Sequence, residues 1–138
     1  MATRLNPYLH FAGNAREALE FYHSVFGGEL RMSAFKEYQS AQDPSEEDLI
    51  MHGQLEGDHD VVLMASDLPK SMEYKPGGSF SVSLSGDDEA VLSGWFDKLA
   101  EGGTIAMPLN KAPWGDSFGM CIDPFGISWL VNISGQAA

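Results

Sequence analysis

The chain has 138 residues, enough for one compact domain, and its 20 Asp and Glu against 8 Lys and Arg give a formal net charge of −12. Such an acidic surface repels nucleic-acid phosphates and anionic lipid, so no nucleic-acid or membrane partner is expected. The single cysteine excludes an intrachain disulfide, and the sequence contains neither a basic-then-apolar leader nor a membrane-length apolar run. We therefore predict a cytoplasmic protein whose partner is a neutral or cationic small molecule.

A strand and a helix are predicted at the start of the chain. Residues 6–11 place apolar and polar side chains on alternate faces, which is the period of a half-buried strand. Asn14 is a favourable helix N-cap, and Glu17, three residues later, can bond back to the N–H of the cap residue. Apolar residues at helical spacing then form one stripe: Ala18, Leu19, Tyr22, Val25 and Phe26. Gly27 ends the helix with a left-handed turn.

Three more strands are predicted in the first half of the chain. One starts at Glu29, a second spans Leu49–Glu56, and a third, more apolar, spans Val61–Ala65. The acidic loop Tyr38–Asp48 separates the first two and is either a solvated connection or a lid over a pocket. The element order of this half, about residues 5–67, is therefore β-α-β-β-β.

The second half repeats that order. A linker of about residues 68–78 is rich in proline and glycine, and a second module follows at about residues 79–134 of the single domain 1–138. Asp87 or Asp88 caps its helix. Its strands are predicted at residues 79–85, 105–109, 117–122 and 127–133. Cys121 lies in the third of these, on the open face or, as is typical of a lone buried cysteine, in the core.

The spacing of matching residues supports an internal duplication. Gly13 and Gly86 are 73 residues apart, whereas the pair Gly27-Gly28 precedes the pair Gly102-Gly103 by 75 residues. Small drifts of this kind are typical of changed loop lengths in a duplicated unit.

Two such modules predict an α+β fold in which each sheet is covered by a helix on one face only. The opposite faces are left open as a concave floor where a ligand is expected to bind. Strand parity places on this floor six candidate ligand-binding residues: Tyr8, His10, His52, Gln54, Ser81 and Ser83.

Four segments resemble a known family: PYLHFAGNAREALEFYHSVFGGEL, HGQL, LMASD and WGDSFGMCIDPFGISWLVN. They are similar to the PhnB-like branch of the glyoxalase, bleomycin-resistance and extradiol-dioxygenase superfamily, also called vicinal oxygen chelate proteins, from about Leu5 to Asn132. The resemblance implies two βαβββ modules forming a cup-shaped mixed sheet with the helices on its outer face, and a homodimer. It also places Trp114, the seventh candidate, in a loop at the mouth of the cup, where the ring either stacks on a ligand or closes the end of the sheet.

The resemblance also bears on metal binding. In metal-dependent members each module supplies a His, Gln or Glu from its first strand and a Glu from its fourth. The corresponding positions here hold Asn6, Ser79, Met64 and Leu130, none of which is a usual ligand. No Asp, Glu or His follows Asp123, so the second module lacks its carboxylate in any register. We therefore predict no cofactor, while leaving a divalent metal open at a non-standard site of His10 and His52, with or without Glu56.

Two functional hypotheses follow from the resemblance. In the first, the cup binds a small neutral or cationic molecule without a metal, as bleomycin-type members bind cationic drugs. In the alternative, the protein is a metal-dependent lyase, isomerase or dioxygenase with non-standard ligands, so the question of catalysis stays open. A methyltransferase label also attached to this branch is disfavoured, because the sequence has no Gly-rich loop of the kind that holds a nucleoside cofactor.

Overall fold

The computed structural model describes residues 3–38, 44–69, 71–74 and 79–135. The chain divides into two compact units, Met1–Lys75 and Pro76–Ala138. Each unit contains one four-stranded mixed sheet and one α-helix, which confirms the predicted α+β fold of two βαβββ modules. In the described ranges, no helix is long and apolar enough to cross a membrane.

Unit 1 has the strand order β1-β4-β3-β2, with β1 parallel to β4 and the other pairs antiparallel. Its strands and helix are β1 (Tyr8–Phe11), α1 (Ala15–Phe26), β2 (Glu29–Ala34), β3 (Ile50–Glu56) and β4 (Val62–Asp67). Short 3₁₀ helices at Phe35–Tyr38 and Pro44–Glu46 lie between β2 and β3. Residues 39–43 of the predicted lid lie outside the described part of the chain, so the lid remains a prediction.

Unit 2 repeats this topology with the order β5-β8-β7-β6, in which β5 is parallel to β8. Its elements are β5 (Val82–Gly86), α2 (Glu89–Ala100), β6 (Thr104–Lys111), β7 (Ser117–Ile122) and β8 (Ser128–Ile133). Strand β6 is longer than the predicted 105–109, and β4 extends two residues beyond the predicted end at Ala65.

One face of each sheet packs on its helix. All five residues of the predicted α1 stripe are buried, as are Leu9 and Phe11 of β1 and Leu55 of β3. In unit 2, Leu92 and Phe96 of α2 are likewise buried. The hydrophobic contact between these surfaces stabilises each unit and leaves the other face of its sheet without a helix.

The start of α1 differs from the prediction. Asn14 occupies the N-cap position, but its side chain makes no capping hydrogen bond. Instead, Asp67 at the end of β4 accepts hydrogen bonds from the backbone N–H groups of Gly13 (2.8 Å) and Ala15 (3.0 Å) on Oδ1, and from Ile50 (3.0 Å) on Oδ2. A carboxylate at a helix N-terminus satisfies free N–H groups and suits the helix dipole. The cap of α1 is thus supplied by a residue distant in sequence.

The start of α2 agrees with the prediction, since Asp88 Oδ1 accepts a hydrogen bond of 3.2 Å from the N–H of Val91. A tight turn joins β7 to β8, in which the Gly126 N–H donates to the Asp123 carbonyl at 3.0 Å. Asp123 is buried and its Oδ2 accepts a hydrogen bond of 2.8 Å from the indole of Trp129. The turn residue therefore also anchors the core tryptophan.

The duplicated glycine pairs have the same steric role in both units. A Cβ atom at Gly28 would lie 2.0 Å from the carbonyl oxygen of Glu56, and one at Gly103 would lie 2.1 Å from that of Ile122. In each unit the chain after the helix therefore passes directly against the end of a strand, an approach that only glycine permits.

Candidate functional site

The four candidate residues of unit 1 share the open face of its sheet. Tyr8 is opposite Met64, Met64 is opposite Gln54, and Gln54 is opposite Arg31, so this row crosses all four strands. His10 and His52 lie two residues along from Tyr8 and Gln54, and therefore point to the same side. The structure thus brings together the four residues that parity predicted in this module.

Tyr8, His10 and His52 form an aromatic cluster on this face. The Tyr8 ring centroid lies 5.3 Å from that of His10 and 5.9 Å from that of His52. The Tyr8 hydroxyl is 3.4 Å from His52 Nδ1, and the histidine tautomer decides which of the two donates. Tyr8 is 42% exposed, so the cluster offers a ligand both ring surface and polar atoms.

A pocket of about 220 Å³ opens beside the cluster, over the open face of the paired strands β2 and β3. Its lining consists of Glu29, Arg31, Ser33, His52, Gln54 and Glu56. His52 belongs to both the pocket and the aromatic cluster, which makes the two features continuous. The candidate residues His52 and Gln54 line the pocket, whereas sequence reasoning missed the three contributions of β2. The alternation of Glu29, Arg31 and Ser33 with apolar residues was a signal that places them on one face of β2, although it does not give their pairing with β3.

Charged groups are paired within the pocket. Glu29 Oε1 accepts a hydrogen bond of 2.9 Å from Arg31 Nε and lies 2.8 Å from Arg31 Nη2. The hydrogen bond and the charge of Glu29, with a smaller contribution from Glu56, raise the pKa of Arg31. Gln54 Nε2 donates a hydrogen bond of 3.0 Å to Glu56 Oε1. With two carboxylates and one guanidinium, the lining carries one excess negative charge when His52 is neutral.

The donor set does not fit the superfamily's usual metal ion. Met64 and Leu130 lie on the open faces at the fourth-strand positions, but a thioether and a hydrocarbon do not replace carboxylate ligands. The Asn6 amide donates to the Pro7 carbonyl at 3.2 Å.

The non-standard site of two histidines and Glu56 is not assembled either. His10 and His52 both contact Tyr8, but Glu56 follows His52 by four residues on β3, a separation of about 13 Å at the usual strand rise. Within the described residues, no three His, Cys, Asp or Glu side chains converge as metal ligands would.

The remaining candidates, Ser81, Ser83 and Trp114, belong to unit 2 and do not line this pocket. The hydroxyls of Ser81 and Ser128 are 2.8 Å apart, and Ser83 lies opposite Leu130. The expected serine-lined floor is only partly present, because the middle of this sheet face is apolar. Its apolar residues are Leu130 of β8 and Phe118, Met120 and Ile122 of β7.

Trp114 is 69% exposed in the loop between β6 and β7, so it does not close the end of the sheet by burial. Asp116 in the same loop accepts hydrogen bonds from the Gly135 N–H (2.8 Å) and from Asn132 Nδ2 (3.1 Å). These bonds lower the pKa of the Asp116 carboxyl. The loop is thereby tied to the segment that follows β8.

Cys121 lies in the core of unit 2, beside Trp129 on the helix-facing side of the sheet. Burial, with a contribution from Asp123, raises its thiol pKa from 9.0 to about 11. We predict that iodoacetamide at pH 8 labels the native protein far more slowly than the protein in denaturant, because the thiolate is the nucleophile.

The free energy of unfolding should fall as the pH rises from about 9 to about 11, since the unfolded state loses the thiol proton first.

A Cys121→Ala variant is the control for that pH dependence and should lack it. Rapid stoichiometric labelling of the native protein at pH 8 would contradict the assignment of Cys121 to the core.

Comparisons with known proteins relate both units to one family. A family model described as the Glyoxalase/Bleomycin resistance protein/Dioxygenase superfamily matches residues 4–131. Protein YjdN of Escherichia coli (strain K12) is 32% identical, and the alignment covers 96% of each chain. The crystal structure of PA1353 from Pseudomonas aeruginosa is 38% identical with a TM-score of 0.80, covering 98% of this chain and 100% of that one. The PhnB protein of Bacillus cereus, whose name carries a provisional 3-demethylubiquinone-9 3-methyltransferase label, is 26% identical with a TM-score of 0.72, covering 96% and 100%.

Proposed function

Since this chain belongs to the Glyoxalase/Bleomycin resistance protein/Dioxygenase superfamily, we propose that it binds a small neutral or cationic molecule without the superfamily's usual metal. The similarity to the Bacillus cereus PhnB protein confirms the resemblance to the PhnB-like branch. Because one superfamily hosts many activities, the proposal rests on this chain's own residues and not on membership alone.

The observation that carries the proposal is the polar pocket on the open face of β2 and β3 and its continuity with the aromatic cluster. Concave sites with a few convergent polar groups beside aromatic rings are typical of small-molecule binding. The excess negative charge of the lining favours a cation over an anion. The ring of Tyr8 adds a surface on which an organic cation is attracted to the π-electrons.

The competing proposal is a metal-dependent enzyme that uses His10 and His52. In its favour, both imidazoles contact Tyr8 on one face. Against it, a divalent ion needs further hard donors, and the nearest carboxylate of the pocket lies well away along β3. The metal-free proposal therefore accounts for more of the site.

Methyl transfer is not proposed for this chain. Each unit is a four-stranded mixed sheet with one α-helix, unlike the doubly wound sheet whose Gly-rich turn holds a nucleoside cofactor. Heat released on titration with S-adenosylmethionine, measured by calorimetry, would overturn this conclusion.

A panel of small neutral and cationic molecules, screened by thermal unfolding, tests the proposal. A compound that binds the folded state raises the melting temperature. For any such compound we expect His52→Ala to weaken binding about tenfold, roughly 1.4 kcal/mol, because His52 links the pocket to the aromatic cluster.

His23→Ala is the matched control, because His23 is an exposed histidine at the end of α1, where its Nε2 lies 3.0 Å from the carbonyl oxygen of Gly28. Equal loss of affinity in the two variants, or no loss in His52→Ala, would place the ligand elsewhere.

A further inference from the structure

We propose that the ligand of this pocket is a zwitterion of amino-acid size, with its anionic group on Arg31 and its cationic group on Glu56. The inference rests on the proposed function, because it names the ligand class of the same pocket. It goes further by assigning opposite charges to two separate parts of one small molecule.

The arrangement of charges along β2 and β3 is the first argument. Glu29 lies directly opposite Glu56, and Arg31, two residues along, lies opposite Gln54. Like charges directly opposite on neighbouring strands repel, so this acidic pair costs stability unless a positive charge offsets it. Arg31 supplies that charge by pairing with Glu29 and acts on Glu56 only from a distance, so no cation among the described residues is bonded to Glu56.

Both charged partners retain bonding capacity. A guanidinium has five N–H donors, and the contacts of Arg31 with Glu29 involve only Nε and Nη2. Both of these nitrogens contact a single oxygen, Oε1, so the bidentate fork that recognises a carboxylate or phosphate is incompletely used. From the part of the chain that the structure describes, Glu56 accepts one hydrogen bond, from Gln54, although an ionised carboxylate has about four acceptor positions.

Coulomb energies then rank the possible ligands. A simple cation in the pocket is attracted by Glu29 and Glu56 but repelled by Arg31, and a simple anion is attracted by Arg31 but repelled by the two carboxylates. A zwitterion places each of its charges beside the opposite charge. Binding of a zwitterion also leaves Glu29 and Glu56 as carboxylates and Arg31 as a guanidinium.

The size and the neutral groups of the pocket agree with this class. Its volume of about 220 Å³ lies below the roughly 300–1,000 Å³ typical of drug-sized ligands. Ser33 and His52 lie opposite each other at the end away from the acidic pair, with Tyr8 beyond them. A side chain that extends from the two charged groups along the strands is therefore directed towards the hydroxyl and imidazole groups of Ser33 and His52.

The experiment uses three matched sets of probes built on alanine, leucine and phenylalanine. Each set contains the free amino acid, its decarboxylated amine and its N-acetyl acid, and binding is measured by NMR titration of the full chain. We expect the amino acid to bind at least fivefold more tightly than either singly charged relative in at least one set.

Charge-neutralising variants test the two assignments separately. In Arg31→Gln, the amino acid should no longer bind more tightly than its amine. In Glu56→Gln, it should no longer bind more tightly than its N-acetyl acid. Arg16→Gln, which neutralises an exposed arginine on α1, should preserve both advantages.

The outcomes separate this inference from the proposed function. If an amine binds as tightly as its amino acid in every set, the zwitterion is refuted while small-molecule binding stands. If none of the three sets binds but the wider panel yields a singly charged or uncharged compound that does, the zwitterion is again refuted while small-molecule binding stands. If no compound of any class binds, the proposed function fails and this inference fails with it.

Discussion

Replacing Gly28 by alanine is expected to destabilise the protein by about 3–5 kcal/mol, measured by chemical denaturation. Gly28 has φ +81°, and an added Cβ would lie 2.0 Å from the carbonyl oxygen of Glu56 and 2.6 Å from the Cα of Gly57. A left-handed conformation costs a residue with a side chain roughly 1–2 kcal/mol, and here backbone atoms must also move. Backbone strain and overpacking are both among the mechanisms by which a single substitution causes the largest losses in the free energy of unfolding, and Gly28→Ala combines them.

Two further substitutions separate these contributions. Gly126 has a similar φ of +87° but open space around its Cβ position, so Gly126→Ala should lose only the conformational contribution, about 1–2 kcal/mol. At Gly103, where the clash is with the carbonyl oxygen of Ile122, the loss should lie well above that of Gly126→Ala. A Gly28→Ala variant no less stable than Gly126→Ala would show that the approach to β3 is not tight.

Replacing Asp67 by alanine is expected to cost about 4 kcal/mol or more in the free energy of unfolding. The side chain is only 3% exposed and accepts three backbone N–H groups, from Gly13, Ala15 and Ile50. The bonds to Ala15 and Ile50 are buried, and each buried N–H left without a partner costs about 1–3 kcal/mol. Asp67→Asn should fall between the wild type and Asp67→Ala, because an amide keeps one oxygen acceptor.

The controls are the two local helix caps. Asp88→Ala removes one exposed capping bond and should cost about 1 kcal/mol. Asn14→Ala should cost less than that, because its side chain makes no capping bond. Equal losses for Asn14→Ala and Asp67→Ala would contradict the non-local cap.

Local patterns explain why much of the fold could be predicted. The stripe of α1 follows the helical period, the cap of α2 at Asp88 follows side-chain chemistry within four residues, and the glycine pairs repeat at a nearly constant spacing. Each of these signals involves residues that are close in sequence. The structure confirms all three.

The features that were missed depend on contacts between distant segments. Asp67 caps a helix that begins 52 residues earlier, so no local pattern distinguishes it from Asn14. Arg31 enters the pocket through the pairing of β2 with β3, and that register is not visible in β2 alone. Strand parity correctly grouped Tyr8 with His52, and the four-residue spacing of His52 and Glu56 on the predicted strand already placed Glu56 too far away to join a histidine metal site.

The most direct test of the central claim is the melting temperature of metal-stripped protein, measured with and without a bound panel compound in the presence of a chelator. The account predicts that the compound raises the melting temperature by the same amount before and after stripping. It also predicts no stoichiometric ion by elemental analysis. The contrary result would be that the compound no longer raises the melting temperature after chelation, and that added Ni, Zn, Mn, Fe or Co restores the effect in the wild type but not in His10→Ala or His52→Ala. That result would contradict metal-free binding and establish a histidine metal site.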